Sequence, residues 1–493
     1  MAYNKTEHLR RNIEAIRTAF ALEREQRAAT PEERDVLRAY SGFGAIKEVL
    51  EPLPHKQETA LTPLIEELHA VLKENTGGER EYKRYLDGLK ASVLTAFYTP
   101  EPVTDAIMRM LYNAGVVPVR ALEPSAGTGA FAEYLRRYNE EAEITCFEKD
   151  PLTGLILRHL HPDDTVRVQG LETIEPAYEG HFDLITSNIP FGDVSLFDPA
   201  FSSSRDPVRR QGAWAIHNYF FMKSVDLVRA GGLIAFITSQ GMADAERNRP
   251  VREWLMERCD LVAAVRLPNN LFTDHAGTEV GSDLIVLQKQ SEKTSLTEEE
   301  QRFIKSEKRP SGVLFNTYLR SMSQIVHTEW KQDTDPYGKP AILFHHEGGA
   351  EGIATDMGKI LRADLAKRLD EALYQKHISI QEQPKVAVSV PPEVKQEEPT
   401  LTLAASTEEQ PHKEVVQPRE EQPVEHPRSS VTPQVQLLDL FGNVIPEEKP
   451  KRKTATVKRA VVSTPSPTIE IKPQETAMRL RDTNELWWQQ DKE

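Results

Sequence analysis

The stretch Ala121-Leu-Glu-Pro-Ser-Ala-Gly-Thr-Gly-Ala-Phe131 decides how the central part of this chain folds. The apolar run 119–122 is followed by an acidic residue, a turn rich in glycine and serine, and a helix that begins near Ala130. Small residues let the backbone of such a turn approach a ligand closely, and a helix N-terminus presents unpaired N–H groups. The stretch therefore predicts a strand, a ligand-binding turn and a helix in direct succession.

A second loop, Thr186-Ser-Asn-Ile-Pro-Phe-Gly192, comes about sixty residues later and again follows an apolar strand. Strands are predicted near 119–122, 143–147, 165–168, 182–186, 232–238, 261–266 and 283–288. Helices are predicted near 101–114, 130–138, 151–160, 214–229 and 247–258. This alternation predicts an α/β fold with a doubly wound, mainly parallel sheet that binds ligands at the carboxyl ends of its strands. Only a loop joins the last two strands, so we expect them to pair antiparallel at one edge.

Changes of pattern predict how the rest of the chain is divided. The predicted parts are an N-terminal helical region (1–90), the α/β domain (91–290), a small mixed appendage (291–379), a disordered linker (380–475) with a short apolar motif at 436–443, and a short C-terminal segment (476–493). Prolines are denser after residue 383, where 14 of the 33 lie.

Composition excludes several classes of protein. A net charge of −15 argues against coating nucleic acid by bulk electrostatics, although a local basic contact stays open. The two cysteines, Cys146 and Cys259, form neither a disulfide framework nor a metal-ligand pattern, which favours a reducing compartment. The first residues lack the apolar core that a signal peptide requires, and no apolar run is long enough to cross a membrane. We therefore expect a cytoplasmic protein without a membrane partner.

The first loop indicates the charge of its ligand. Glu148 ends the second predicted strand, about 20 residues after the glycine turn, where a carboxylate can accept hydrogen bonds from ribose hydroxyls. The turn lacks the third glycine of the dinucleotide pattern and has Glu123 in front of it. A carboxylate there would repel a pyrophosphate but suits a sulfonium and an ammonium group. The pattern therefore points to S-adenosylmethionine rather than NAD.

The second loop indicates the acceptor. Asn188 offers an amide oxygen, Ile189 a backbone carbonyl and Phe191 an aromatic face. Two acceptors can hold an exocyclic amino group while the ring stacks on a planar base.

With these motifs, residues 96–290 resemble the amino-group DNA methyltransferases of the N6-adenine type, in which the cofactor motif precedes the catalytic one. Phe97-Tyr-Thr-Pro100 resembles the family's upstream motif, and Asn188-Ile-Pro-Phe191 resembles its catalytic Asn-Pro-Pro-Tyr/Phe motif. In Gln169-Gly-Leu-Glu172 the acid is displaced from the family's position. The cofactor residues that the resemblance implies are Tyr98, Thr99, Glu123, Ser125, Gly127, Gly129, Phe131, Glu148, Glu172 and Asn188.

The resemblance implies direct methyl transfer to a flipped adenine, with Asn188, Ile189, Pro190 and Phe191 as the catalytic motif and with no metal. Phe191 would stack on the base, and Phe272 would cover its other face or lie in the core. The DNA backbone would be contacted by the loop 202–210, through Arg205, Arg209 and Arg210.

Three features leave alternatives open. Ile189 replaces a proline that stiffens the family's loop, so a non-catalytic anti-restriction or DNA-transfer protein stays possible beside an enzyme. Release-factor glutamine methyltransferases share a similar catalytic loop and a helical N-terminal domain. Tyr40-Ser-Gly-Phe-Gly44 and 311–360 are similar to methylase–helicase proteins of bacterial mobile elements and phages. The sequence carries no helicase motifs, which suggests a separate helicase or specificity subunit and a role in modification or anti-restriction.

One short motif suggests a further partner. Leu437-Leu-Asp-Leu-Phe441 is similar to the peptide by which bacterial proteins dock on the replication sliding clamp. A generic apolar docking motif is the alternative.

Overall fold

A computed structural model describes residues 4–378, apart from 45, 51–58, 96–97, 193, 274–278 and 335–339. Its centre is a seven-stranded sheet with the order β3-β2-β1-β4-β5-β7-β6. The strands are β1 Arg120–Glu123, β2 Glu143–Phe147, β3 Thr165–Arg167, β4 Phe182–Asn188, β5 Val228–Ser239, β6 Cys259–Leu267 and β7 Ser282–Lys289. All neighbours pair parallel except β7, which is antiparallel to both β5 and β6. The predicted doubly wound fold, its seven strands and its antiparallel edge are confirmed.

Two further antiparallel pairs lie outside this sheet: β8 Ser306–Lys308 with β9 Leu314–Asn316, and β10 Glu329–Thr334 with β11 Pro340–His345. The helices are α1 Lys5–Glu25, α2 Pro31–Arg38, α3 Thr62–Glu74, α4 Glu79–Thr95, α5 Glu101–Asn113, α6 Ala130–Tyr138, α7 Pro151–Leu160, α8 Pro199–Ser202, α9 Pro207–Gly212, α10 Ile216–Leu227, α11 Gly241–Asp244, α12 Arg249–Met256, α13 Glu298–Ile304, α14 Gly349–Arg368 and α15 Glu371–Ile378. None of the helices in the described ranges combines the length and apolar character that a membrane span requires.

The strand order reverses between β1 and β4. From β1 the chain moves outward through β2 and β3, then returns to pair β4 against the other side of β1. The loops that follow β1 and β4 therefore diverge and leave a crevice at the carboxyl ends of the two strands, where open α/β sheets bind their ligands. The two loops singled out in the sequence border this crevice.

The N-terminal helices pack on the central domain through α7. Leu152, Leu155 and Ile156 of α7 share one hydrophobic cluster with the buried faces of α1, α3 and α4. The turn 40–44 joins these parts: Tyr40 contacts Thr153 through their hydroxyls at 3.2 Å. This turn thus connects the N-terminal helices to α7.

The structure differs from the predicted appendage at 291–379. Helix α14 packs against α5 and β6, and α15 packs against β5. The buried residues of α14 recur every four positions and join the core on the face of the sheet that α5 also covers: Ile353, Met357, Leu361 and Leu365. These two helices therefore complete a layer of the central domain. The predicted linker 380–475 and the segment 476–493 lie outside the described residues.

The buried carboxylate of Asp183 connects α15 to the beginning of β1 through Arg229. Asp183 accepts hydrogen bonds from the N–H groups of Val119 and Arg120 at 2.8 and 2.7 Å, and from Nε of Arg229 at 2.5 Å. Arg229 also donates to the carbonyl of Tyr374 in α15 at 2.9 Å. Because Asp183 is fully buried, the loss of its charge would leave the guanidinium without compensation.

We predict that Asp183→Asn lowers the free energy of unfolding by about 3 kcal/mol, the range found when one partner of a buried ion pair is removed. The measurement is equilibrium unfolding in urea. Asp35→Asn is the matched control: the Asp35 side chain is 80% exposed, so a change within about 0.5 kcal/mol is expected. Equal losses for the two variants would contradict the role given to Asp183.

Candidate cofactor and substrate site

A cleft of about 550 Å³ opens at the carboxyl ends of β1 and β4. It brings together nearly all the residues that the sequence nominates; those that line it are Tyr98, Thr99, Glu123, Ser125, Gly127, Phe131, Glu148, Glu172, Asn188, Ile189, Pro190 and Phe191. The hydroxyl of Ser187 donates to the carbonyl of Ser125 at 2.9 Å, which links the strand before the second loop directly to the first loop. The two loops therefore form one site. Phe97 lies outside the described residues.

The glycine turn is held open by its backbone conformation. Gly127 has φ +57°, and a Cβ at this position would lie 2.9 Å from the Tyr98 ring. The Gly127 N–H donates to Glu148 at 2.8 Å. Gly129, with φ +87°, is not among the lining residues; a Cβ there would meet His161 at 2.3 Å. Gly127 thus shapes the wall of the cleft, whereas Gly129 lets α6 begin close to His161.

Glu123 closes this turn. Its carboxylate accepts hydrogen bonds from the N–H groups of Phe131 and Ala132, at 3.4 and 2.8 Å, at the start of α6. The residue is 1% exposed, and this burial raises the pKa of Glu123 well above its usual range. The acidic residue in front of the turn therefore organises the helix N-terminus as well as lining the cleft.

Glu148 reaches the same turn from β2. One carboxylate oxygen accepts from Gly127, and the other accepts from the N–H of Asp150 at 2.7 Å. Burial, with the nearby Asp150 carboxylate as a second cause, raises the pKa of Glu148 to about 7. Because each carboxylate oxygen can accept two hydrogen bonds, Glu148 keeps acceptor capacity for ligand hydroxyls.

Two buried polar atoms in the cleft have no hydrogen-bond partner among the described residues: Oε2 of Glu172 and the hydroxyl of Thr99. The other oxygen of Glu172 accepts from Lys149 at 2.8 Å. Buried polar atoms are rarely left without partners, so these two indicate a ligand with hydrogen-bonding groups. An adenosyl group with an amino-acid tail supplies such groups, so this carboxylate acceptor and this hydroxyl fit S-adenosylmethionine.

The second loop is fixed at Ile189. Its N–H donates to the carbonyl of Ile237 in β5 at 3.0 Å, and its side chain is 1% exposed. A proline could not make this hydrogen bond. The departure from the proline pattern thus brings an alternative restraint on the loop. Behind the loop, the buried His217 contacts Asn248 at 3.2 Å, and burial lowers the pKa of His217 to about 4.

Phe191 and Phe272, which the sequence analysis considered together as base contacts, occupy different positions in the structure. Phe191 lines the cleft and is 7% exposed. Phe272 is fully buried, is not a lining residue, and packs edge-to-face on Phe191 with ring centroids 6.1 Å apart. Of the two positions that the sequence left open for Phe272, the structure gives the core position, in which it supports Phe191, and the stacking role is corrected.

The three arginines differ in the same way. Arg209 makes a bidentate ion pair with Asp226 at 2.8 and 2.7 Å, and its guanidinium lies 4.3 Å from the ring centre of Phe201. Its predicted contact with the DNA backbone is corrected, because this guanidinium is already engaged within the fold. Arg205 and Arg210 are exposed, and Arg210 donates to the carbonyls of Ser204 and Arg205.

Sequence reasoning missed one wall of the cleft. Arg84, Asp87 and Gly88 of α4 line it, although this helix belongs to the region predicted to be separate. A Cβ on Gly88 would lie 2.4 Å from the Asp150 carboxylate, so only glycine lets α4 come this close. A glycine inside an otherwise regular helical pattern was the available signal.

A sheet of this order, with a glycine turn after β1, an acid after β2 and Asn-Ile-Pro-Phe after β4, defines an S-adenosylmethionine-dependent methyltransferase fold. The chain belongs to the N-6 DNA methylase family, whose model matches residues 90–343. Members of this class take their methyl group from S-adenosylmethionine.

Two curated relatives are similar to parts of the chain. The defense against restriction protein B of Escherichia phage P1 is 26% identical over 206 residues, which cover 41% of this chain and 8% of that protein. The type II methyltransferase M.XamI of Xanthomonas campestris pv. amaranthicola is 26% identical over 188 residues, 36% of either chain. The chain thus spans well under half the length of each relative.

Among solved structures, the type IIG restriction endonuclease BpuSI is similar at 16% identity and a TM-score of 0.34, covering 61% of this chain and 39% of that one. A structure from a type I restriction–modification system matches at 16% identity and a TM-score of 0.34, covering 58% and 69%. With scores this low, the fold assignment stands on the strand order.

We predict that Gly127→Ala weakens S-adenosylmethionine binding at least about 10-fold, because the new methyl group displaces Tyr98 in the cleft. Isothermal titration calorimetry measures the affinity. Gly180→Ala is the matched control, since Gly180 also has positive φ (+62°) but nothing within 4 Å of its would-be Cβ. Both variants carry the strain of a left-handed alanine, about 1 kcal/mol, and only Gly127→Ala should lose affinity.

The raised pKa of Glu148 generates a pH prediction. The ionised carboxylate is the better acceptor for ribose hydroxyls and attracts a cationic ligand, so affinity should rise as pH passes through about 7. Between pH 8 and pH 6 we expect S-adenosylmethionine to bind about 10-fold more weakly, as about a tenth of the carboxyl stays ionised. Glu148→Gln should bind weakly with a flatter profile; an unchanged slope in this variant would contradict the assignment.

Proposed function

We propose that this protein is a DNA methyltransferase that methylates the N6 amino group of adenine. The observation that carries the proposal is the joining of the glycine turn and the Asn188–Phe191 loop in one cleft. Membership of the N-6 DNA methylase family supports the choice of DNA and of the adenine amino group. It also favours this function over methylation of a protein glutamine.

Each wall of the cleft has a role in this proposal. Glu148 accepts from ribose hydroxyls, Glu172 accepts from the adenine of the cofactor, and Thr99 contacts its amino-acid part. Tyr98 and the glycine turn provide the surface against which the adenosyl group packs. When bound, S-adenosylmethionine supplies an electrophilic methyl group.

The second loop presents the acceptor. The side-chain oxygen of Asn188 and the carbonyl of Ile189 accept hydrogen bonds from the adenine amino group, which directs the nitrogen lone pair towards the methyl group. These acceptors also stabilise the positive charge that develops on nitrogen as the N–C bond forms and the C–S bond breaks. Phe191 stacks on the base, and the surplus proton leaves the amino group to solvent. His217 stays neutral and supports the loop from behind.

The relatives suggest the biological setting. One is a phage protein named for defense against restriction, and the other is a type II methyltransferase. A role in modification or anti-restriction is therefore part of the proposal, with DNA and a separate helicase or specificity subunit as the partners. The clamp-like motif Leu437–Phe441 lies outside the described residues and stays a prediction.

The test is transfer of labelled methyl groups from S-adenosylmethionine to DNA, followed by nuclease digestion and detection of N6-methyladenine. We expect Asn188→Ala to lower the rate at least about 100-fold, the effect of removing a hydrogen-bond acceptor that acts in the transition state. Asn113→Ala, in an exposed residue at the end of α5, should retain full activity.

Two results would contradict the proposal. Transfer to DNA that is unaffected by Asn188→Ala would remove the role of the second loop. Cofactor binding without transfer to any DNA would favour the non-catalytic alternative.

A further inference from the structure

The segment 194–215, which follows the catalytic loop, carries the two most exposed large hydrophobic side chains of the described residues. Phe197 is 76% exposed and Trp214 is 65% exposed, and Val194 on the same segment is 46% exposed. Most large apolar side chains of the described residues are buried, so the concentration of three exposed ones on one segment is a local feature.

This exposure is built into the backbone. Asp198, next to Phe197, is 2% exposed and accepts hydrogen bonds from Tyr219, Lys223 and the N–H of Ala200. Ala213 and Ala215, on either side of Trp214, are 6% and 7% exposed. The neighbours of both aromatic residues are therefore anchored in the fold, and the aromatic side chains point outward from fixed positions.

The backbone next to the two aromatic residues is joined beside the cleft. The N–H of Leu196 donates to the carbonyl of Ala213 at 2.9 Å, so the residues that precede Phe197 and Trp214 are hydrogen-bonded to each other. Leu196 and Ile216 line the cleft, each one or two residues from an exposed aromatic side chain. We refer to Phe197 and Trp214 as the aromatic pair.

The same segment holds the two exposed arginines. Arg205 and Arg210 lie between the members of the aromatic pair in sequence, while Arg209 is paired with Asp226. Aromatic faces next to exposed positive charge match single-stranded nucleic acid, in which bases offer π-faces and phosphates offer negative charge. A protein partner with an apolar surface would not require the arginines.

We propose that the aromatic pair stacks on unpaired bases of the DNA strand that carries the target adenine, and that Arg205 and Arg210 contact its phosphates. A flipped adenine leaves its neighbours partly unstacked, and exposed aromatic faces beside the cleft compensate for that loss. Phe197 and Trp214 are positioning residues: they hold the strand while Asn188 and Phe191 hold the base. The inference rests on the proposed function for its substrate class.

The first experiment measures binding of a fluorescein-labelled, mixed-sequence single-stranded oligodeoxynucleotide by anisotropy, without methyl transfer. Trp214→Ala and Phe197→Ala should each bind about 10-fold more weakly, within the range that one base–aromatic stack contributes. Tyr112→Ala is the matched control, because Tyr112 is also an exposed aromatic residue (42%) but lies on α5, outside the segment 194–215. Its affinity should equal that of the wild type, and thermal unfolding checks that each variant folds.

The conservative variant supplies a signature that a merely structural role would not give. Trp214→Phe should keep affinity within about 3-fold, since a phenyl ring still stacks. The same variant should lose most of the tryptophan fluorescence quenching that the oligonucleotide produces in the wild type. Unchanged quenching would show that Trp214 does not meet a base.

The outcomes separate this inference from the proposed function. Full affinity in Trp214→Ala and Phe197→Ala, with methyl transfer intact in the wild type, overturns the aromatic pair alone. A wild type that binds the oligonucleotide through the pair but transfers no methyl group overturns the enzymatic proposal alone. Absence of binding by the wild type overturns the inference and makes a protein partner the better occupant.

Discussion

The parallel pairing of β1 with β4 is the constraint on which the rest of this molecule depends. Ala121 lies opposite Leu184 and Leu122 opposite Ile185, so both strands end at the same edge of the sheet. The strand order reverses there, and each chain segment must leave the edge in its own direction. One segment becomes the glycine turn and the other becomes the Asn-Ile-Pro-Phe loop. A shift of this register would move the two loops apart.

Much of the fold could be predicted because its elements are local in sequence. The strands are short apolar runs bounded by turns, and α6 and α7 begin where a glycine turn and Asp150 with Pro151 place them. The site residues at the ends of β1, β2 and β4 could be predicted to lie together, because the carboxyl ends of parallel strands share one edge of the sheet. Long-range packing was not accessible in this way. The sequence predicted that Phe272 and Arg209 could contact DNA. In the structure Phe272 packs on Phe191, and Arg209 forms an ion pair with Asp226 of another helix.

The contribution of α4 shows the same limit. Helical spacing predicts which face of an isolated helix is apolar, but it does not say which domain that face meets. Here α4 meets α7, and Gly88 sits against the Asp150 carboxylate. Ile189 is the opposite case: a departure from a family pattern that looked damaging in the sequence comes with its own hydrogen bond to β5. The effect of a substitution in a motif therefore depends on the backbone hydrogen bonds that the new residue can make.

The docking of α14 and α15 has a consequence for how this unit can be joined to others. The faces of α5, β5 and β6 that these helices cover are apolar, and Arg229 reaches the carbonyl of Tyr374 from within the sheet. A polypeptide that ended after the last strand would expose these apolar faces to solvent, and the Arg229 guanidinium would lose its hydrogen bond to Tyr374. In gene fusions that keep this domain intact, the boundary should therefore lie after α15, although the last strand of the sheet ends about ninety residues earlier.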